Sequence, residues 1–390
     1  MEYQSTQEFF QKFTHDWPKE GSYYVWGAWN FASRMCSLFD NQLHIIGFID
    51  SDKMKWGTHF MGCPVVSPDE VPFQQDHVRC IVASLAYGKI RQELERRGLE
   101  ENVDFCSGRQ FIAAHQWAAY QKVCLTRVEL AVTSCCNLRC RNCSRSIPYY
   151  KQHRHYPVDT LLADVDAYFR WVDSVGQFII YGGEPFLHPD IAEFTEKMAE
   201  RYHSKIQDLI FLSNGTIIPE KRQLEVMKQY KIHVQIGDYR KGIPTLQPKV
   251  DSFIDVLETY GIDYSLPISD MWLDFNHTPE DRSSWDDEKL KNFCKECCSQ
   301  CRGLYNQKYY FCDIGGSAAL AGLYPEEPGD YFDLSGPADT QKKEALIAFD
   351  LDGAPKQYVS YCRNCGGFPA VNQQFIPVAE QLPVGHQGRL

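Results

Sequence analysis

The sequence predicts an α/β chain: a partial (β/α) TIM-type barrel over 116–290, a Rossmann-like domain before it at 1–115, and a cysteine-rich domain after it at 291–390. Three observations carry this. Strand and helix patterns alternate at short, regular intervals through the first two segments. The glycine turns of the second segment each fall directly after a strand, on the rim where parallel barrels build their sites. Eleven of the sixteen cysteines gather at 135–143, 294–312 and 362–365.

In the first segment a short strand at 23–26 runs into Gly27, and a helix follows at 31–39. A second strand, 44–49, ends at Asp50 and Asp52. A third, 78–84, precedes a helix at 89–97 that stops at Gly98. Strand, glycine turn, helix and a strand ending in acid begin a doubly wound sheet. The run GAWNFA keeps only Gly27 of the glycines a dinucleotide fingerprint needs, with Trp29 and Ala32 where others are wanted. Docking or recognition is therefore the reading for this domain.

The second segment repeats the alternation: strands at 127–132, 177–181, 208–212, 233–236 and 263–268, with helices at 158–174, 190–202, 220–230 and 250–260 between them. The third segment reads as irregular, rich in cysteine, aromatics, glycine and proline, and in need of metal to hold it. Its closing stretch FIPVAEQL, 375–382, reads as an ordered docking tail.

Composition sets outer bounds. A formal charge of −11 argues against a general nucleic-acid binder, although Arg139, Arg141 and Arg145 form a local basic patch. No apolar run approaches the ~18 residues of a membrane helix. The polar start MEYQSTQEFFQKF lacks the features of an export signal, so a cytoplasmic protein with free thiols is expected. Grouped cysteines in a reducing compartment point to metal.

Cys136-Asn-Leu-Arg-Cys140-Arg-Asn-Cys143 supplies three thiolates from one loop. Structural zinc wants four closed ligands, whereas a cubane cluster on three cysteines leaves one iron open; thiolates suit both metals. Cys135 adjoins the set, but neighbouring loop residues rarely aim both side chains at one metal. It is a candidate hydrogen donor, with packing the plainer role.

At these residues the sequence resembles the radical S-adenosylmethionine (SAM) superfamily, whose signature is C-x-x-x-C-x-x-C after the first barrel strand. The resemblance covers about 125–290. It implies a [4Fe–4S] cluster on Cys136, Cys140 and Cys143 whose open iron is chelated by SAM. A flavodoxin- or ferredoxin-type donor would supply the electron that splits the sulfonium, giving a 5′-deoxyadenosyl radical that takes hydrogen from substrate. One departure is Asn142, where the family usually places an aromatic near the adenine.

Tyr181-Gly182-Gly183-Glu184-Pro185, about 40 residues after the cysteine loop, matches the family's SAM amino-group motif. Ser213-Asn214-Gly215 ends the third strand, where the family places polar groups near the SAM carboxylate and ribose. Asp238 and Tyr239 end the fourth and face ribose or substrate on this reading. Tyr149 and Tyr150, with His153 and His155, follow the cluster loop as candidates to line a substrate cavity, or as ordinary loop residues.

In the third segment CRGLYNQKYYFC looks like the entry to the SPASM or twitch extensions of these enzymes, which carry auxiliary [4Fe–4S] clusters. The family usually has glycine five residues before the second cysteine, where Gln307 stands here. The ligands expected are Cys301, Cys312, Cys362 and Cys365, with Cys294, Cys297 and Cys298 as alternatives and zinc as the alternative metal. The first hundred residues resemble Rossmann-like domains attached to sugar-modifying enzymes, on VWGAWNFASRMC, GFIDSDKMKWGTHFMGCPVVSPDEV and IVASLAYGKIRQEL. Together these imply oxidation or epimerisation of a small sugar-, nucleotide-sugar- or aminocyclitol-like substrate. A peptide-modifying maturase is the alternative within the superfamily, and a non-catalytic iron–sulfur or zinc protein the alternative outside it.

Overall fold

The computed structural model describes residues 22–39, 43–73, 78–84, 86–267, 270–275, 281–297 and 301–383. The chain divides into two compact units, Met1–Leu125 with Thr340–Leu351, and Thr126–Asp339 with Asp352–Leu390.

The first unit contains β1 (Ser22–Trp26), α1 (Asn30–Leu38), β2 (His44–Ile49), β3 (His59–Phe60), β4 (Cys63–Val66), β5 (Arg79–Val82), α2 (Tyr87–Arg96), β6 (Phe105–Ser107) and α3 (Gly108–Tyr120). The sheet order is β3-β4-β2-β1-β5-β6, parallel apart from the β3–β4 hairpin. Trp26, Ile49, Val82, Leu94 and Phe105 pack one apolar core of this unit. Ser107 and Gln110 form a capping box that starts α3, a helix the sequence pattern left unassigned. At the end of β1 the chain turns through Gly27 at φ +121°. The Trp29 indole donates to the Ala83 carbonyl at the end of β5, across the crevice where a doubly wound sheet would receive a ligand.

The helix Thr340–Asp352 belongs to this first unit, although the residues before and after it in sequence belong to the second. Arg109 pairs with Asp350 at 2.9 Å, and the Trp117 indole donates to Glu344 at 3.1 Å. It corrects the expectation of an irregular third segment. Leu346, Ile347, Phe349 and Asp350 are all buried, so the helix shows no clean apolar stripe to read from sequence.

The second unit runs β7 (Cys124–Ala131), α4 (Val158–Trp171), β8 (Ser174–Tyr181), α5 (Ile191–Tyr202), β9 (Ile206–Ser213), α6 (Lys221–Gln229), β10 (His233–Ile236), α7 (Gln247–Tyr260) and β11 (Tyr264–Ser265). These strands lie side by side in chain order, β8 through β11 pairing in parallel. After them come β12 (Met271–Leu273), α8 (Asp287–Cys297), β13 (Gly303–Tyr305), β14 (Lys308–Tyr310), α9 (Asp313–Leu320), β15 (Tyr331–Asp333) and β16 (Phe375–Pro377). β13 joins the free side of β7 in parallel, and β14 and β15 continue the sheet antiparallel. Among the described residues the sheet is open beyond β11 and β15, a partial barrel. β12 and β16 form a separate antiparallel ribbon.

The β13–β14 turn explains the Gln307 departure. Asn306 and Gln307 both have positive φ, +51° and +56°, the conformation that glycine adopts without steric cost. The buried Asp164 carboxylate on α4 accepts both of their backbone N–H groups, at 3.1 and 2.6 Å, and so holds the turn without glycine.

Candidate active site

The loop after β7, the glycine turn after β8 and the Ser-Asn turn after β9 open onto one cavity of about 460 Å³. Cys136, Cys140 and Cys143 are on its wall, with Asn142, Gly182, Gly183, Ser213 and Asn214. The loop is built by short backbone bonds, Cys143 N to Cys140 O at 3.1 Å and Ser146 N to Cys143 O at 2.8 Å. The glycine turn is laced to it by Gly183 N to Thr133 O and Glu184 N to Cys135 O, both 2.8 Å. A Cβ on Gly182 would stand 2.5 Å from Thr133 O, and one on Gly183 would collide with Cys135 O. The two glycines are thus required by the approach of two backbones, before any ligand is considered.

Burial pushes the three thiols up, Cys140 to about 12. Ligation would therefore release protons, and metal binding at this loop is expected to weaken at low pH. Among the described residues no three His, Cys, Asp or Glu side chains close on a single ion. Three thiols on one cavity wall would leave one iron of a cubane cluster without a protein ligand.

Glu184 is fully buried and does not line the cavity. One carboxylate oxygen accepts from Ser213 Oγ at 2.8 Å and Phe186 N at 3.3 Å, the other from Asn214 N at 2.8 Å. In this structure it fixes the Ser213–Asn214 turn, and Asn214 in turn donates to Asn137 on the cysteine loop at 3.0 Å. Burial pushes the Glu184 carboxyl from 4.5 up to about 7, only partly offset by those three donors. The folded chain then binds this proton more tightly than the unfolded one. Its stability should fall as pH rises from about 4.5 to 7, each unit of that interval being worth about 1.4 kcal/mol. Thermal midpoints of the iron-free protein at pH 5 and pH 8 should differ less in Glu184→Gln than in the wild type.

Several expected residues lie elsewhere. Pro185 is buried behind the turn and outside the cavity lining. Asp238 is held by its neighbour Arg240 at 2.8 and 2.9 Å, which keeps its carboxyl below the usual range. Tyr149 donates to Arg141 O at 2.6 Å and so braces the cysteine loop, while Tyr150 stacks on His153 at 6.3 Å. Neither tyrosine, nor Cys135, is on the cavity wall. Tyr239 is on the wall, and so are residues that the sequence reading did not assign to it: Arg145, Tyr181, and Trp272 of β12. The signal for Arg145 was its place two residues after Cys143; nothing in the pattern marked Trp272.

Arg145 and Tyr181 lead from the cavity into a buried charge network. Arg145 pairs with both Glu129 and Asp313, Arg127 pairs with Glu129 at 2.7 Å, and the Arg145 guanidinium lies 4.8 Å from the Tyr181 ring centre. Tyr181 donates to Asp313 at 2.9 Å, and Tyr305 bonds both groups. Burial alone would raise both acids. The two arginines beside Glu129 hold it low, while Asp313 is pushed up to about 6 despite Arg145. Two buried cations against two acids make removal of one partner costly, about 3–5 kcal/mol.

The C-terminal cysteines form a second group. The Cys294 and Cys362 thiols lie against each other, and Cys294 is pushed up by that contact and by burial. Cys297 lies beside Cys365, Cys362 and Cys312, and Cys365 beside Cys312 and Cys362. Cys297 Sγ accepts from Phe368 N at 3.4 Å and Cys365 Sγ from Gly367 N at 3.3 Å. Of the four ligands expected, Cys312, Cys362 and Cys365 lie in this group, while the Cys301 thiol faces Glu129, Arg127, Arg145 and Asp313. The reason is geometric. Cys294 and Cys297 sit one turn apart on α8, facing the 362–365 turn, while the chain has already passed toward β13 at Cys301. Cys298 lies outside the described residues.

The family match over 130–238 agrees with the motifs. The Radical SAM superfamily matches residues 130–238, and the C2185-like N-terminal family matches residues 22–103. The 7-carboxy-7-deazaguanine synthase of Halobacterium salinarum is 33% identical over 87 residues, 22% of this chain; the match spans only 30% of that protein. Among solved structures, native anSMEcpe with bound AdoMet and Cp18Cys peptide aligns with 62% of this chain and 88% of its own at 15% identity and TM-score 0.41. BtrN in complex with AdoMet and 2-DOIA aligns with 66% and 98% at 15% identity and TM-score 0.36. Streptococcus suis SuiB bound to S-adenosylmethionine aligns with 46% and 44% at 14% identity and TM-score 0.30. No described helix is long and apolar enough to cross a membrane.

Proposed function

We propose that this chain, a radical SAM superfamily enzyme by its match over 130–238, binds a [4Fe–4S] cluster through Cys136, Cys140 and Cys143 and SAM in the cavity beside them. Reductive cleavage of SAM there supplies a 5′-deoxyadenosyl radical that abstracts hydrogen from substrate. The observation that carries the reading is the convergence of three thiols, the Gly182–Gly183 turn and the Ser213–Asn214 turn on one cavity wall. Its volume, about 460 Å³, falls within the range of about 300–1,000 Å³ usual for small-ligand pockets. The protein's part is to place the ligands and keep water out. Asn142 and Asn214 offer polar groups, and Tyr239 and Trp272, edge to face at 5.2 Å, form an aromatic wall.

The substrate we propose is a small polar ring compound of the sugar, nucleotide-sugar or aminocyclitol class, oxidised or epimerised. It is supported by the aromatic and polar mixture of the wall and by the likeness of the N-terminal segment to domains of sugar-modifying enzymes. The organisation we propose is a Rossmann-like domain, the barrel and a cluster-bearing C-terminal domain. Four of Cys294, Cys297, Cys312, Cys362 and Cys365 would hold an auxiliary [4Fe–4S] cluster, and a flavodoxin- or ferredoxin-type protein would donate the electron. Reconstituted protein with SAM and dithionite should form 5′-deoxyadenosine faster with one of a panel of nucleotide sugars and aminocyclitols than without substrate. Stimulation by peptides alone would overturn the substrate class in favour of a maturase.

A further inference from the structure

Residues 378–382 lie as a strap across the cysteine loop. Cys140 and Gln381 form an antiparallel bridge, with Arg141 N donating to Glu380 O at 2.7 Å and Leu382 N to Arg139 O at 2.9 Å. Val378 and Ala379, 2% and 0% exposed, pack on Cys140 in a small core that also holds Leu138, Cys143, Tyr239 and Trp272. A Cβ on Gly242 would collide with Val378 O, so this glycine lets the strap backbone approach. The Gln381 side chain reaches over the loop in two directions. Its oxygen accepts from Arg139 N at 2.8 Å, and its Nε2 donates to Cys140 Sγ at 3.2 Å.

We propose that Gln381 is a positioning residue of the cysteine loop, which holds the Cys140 sulfur for cluster binding and sets the cluster's reduction potential. The inference rests on the reading of this loop as a cluster site. An N–H aimed at a ligand sulfur stabilises the extra negative charge of the reduced cluster, so it raises the potential. The strap also packs on Cys140, where it shields the loop from a chelator or oxygen. Gln381 is itself exposed, so its substitution leaves the folded core intact.

The test compares anaerobically reconstituted wild type, Gln381→Leu and Glu380→Gln. Glu380 is on the same strap, and its exposed side chain pairs with Arg141 at 3.3 Å. Two quantities are read: the midpoint potential of the EPR signal that changes on adding SAM, and the rate at which a chelator removes iron. Gln381→Leu should show a more negative potential and iron loss several-fold faster, with Glu380→Gln matching the wild type. Normal iron content with both readouts unchanged in Gln381→Leu overturns the strap while leaving the cluster site standing. Equal shifts in Glu380→Gln would place the effect in the surface charge and overturn the role of the amide. A wild type that binds no iron at 136–143 overturns both.

Discussion

Replacing Cys136, Cys140 and Cys143 together with alanine is expected to lower bound iron by about four per chain and to reduce SAM cleavage to background. The fold should survive. The loop is held by its own backbone bonds, by the bracing hydroxyl of Tyr149 and by the glycine turn against Thr133 and Cys135. None of these uses a thiol. Loss of function with a preserved circular dichroism spectrum would therefore report on the site rather than on unfolding. Iron and sulfide assays on wild type and triple variant, with 5′-deoxyadenosine measured alongside, decide the matter. Unchanged iron in the variant would move the metal elsewhere and end the reading of this loop.

The parts of this site written locally were legible. The three-cysteine spacing, the double glycine and the Ser-Asn turn each follow a strand whose apolar run is buried on both faces, and such strands announce themselves. The 44–49 and 233–236 strands are where the pattern put them. What escaped depends on residues distant in sequence. Glu184 was read as an acceptor for a ligand ammonium, because sequence shows an acid after two glycines. Sequence does not show the three donors that Ser213, Asn214 and Phe186 bring to it. Gln381 comes 241 positions after the sulfur it touches. Asp164 substitutes for a turn glycine from a helix more than a hundred residues earlier. Gln307 looked like a departure from a motif because its compensation is in the tertiary fold.

The membership of the C-terminal cysteine group gives the sharpest test of that tertiary information. Spacing alone admits either Cys301 or the pair Cys294 and Cys297 as partners of Cys312, Cys362 and Cys365, since all lie within a few residues before β13. The fold separates them. Cys301 faces the Arg127–Glu129–Arg145–Asp313 network, where two carboxylates are already neutralised by two guanidiniums. Adding a multi-iron cluster there would require displacing that network. Cys294 and Cys297 instead lie against the 362–365 turn, Cys294 beside Cys362 and Cys297 beside Cys365. Cys362→Ala with Cys365→Ala should therefore cost about four irons per chain, and Cys294→Ala with Cys297→Ala a comparable share. Cys301→Ala should keep its iron, because it removes only a thiol that bonds to Glu129. Iron content and the EPR signal that is insensitive to SAM distinguish these variants. Loss of that signal in Cys301→Ala, with its persistence in Cys294→Ala plus Cys297→Ala, would return the ligand set to the one sequence spacing favoured. Zinc in place of iron at this group would remove its electron-accepting capacity, and with it the oxidative outcome, while leaving epimerisation open.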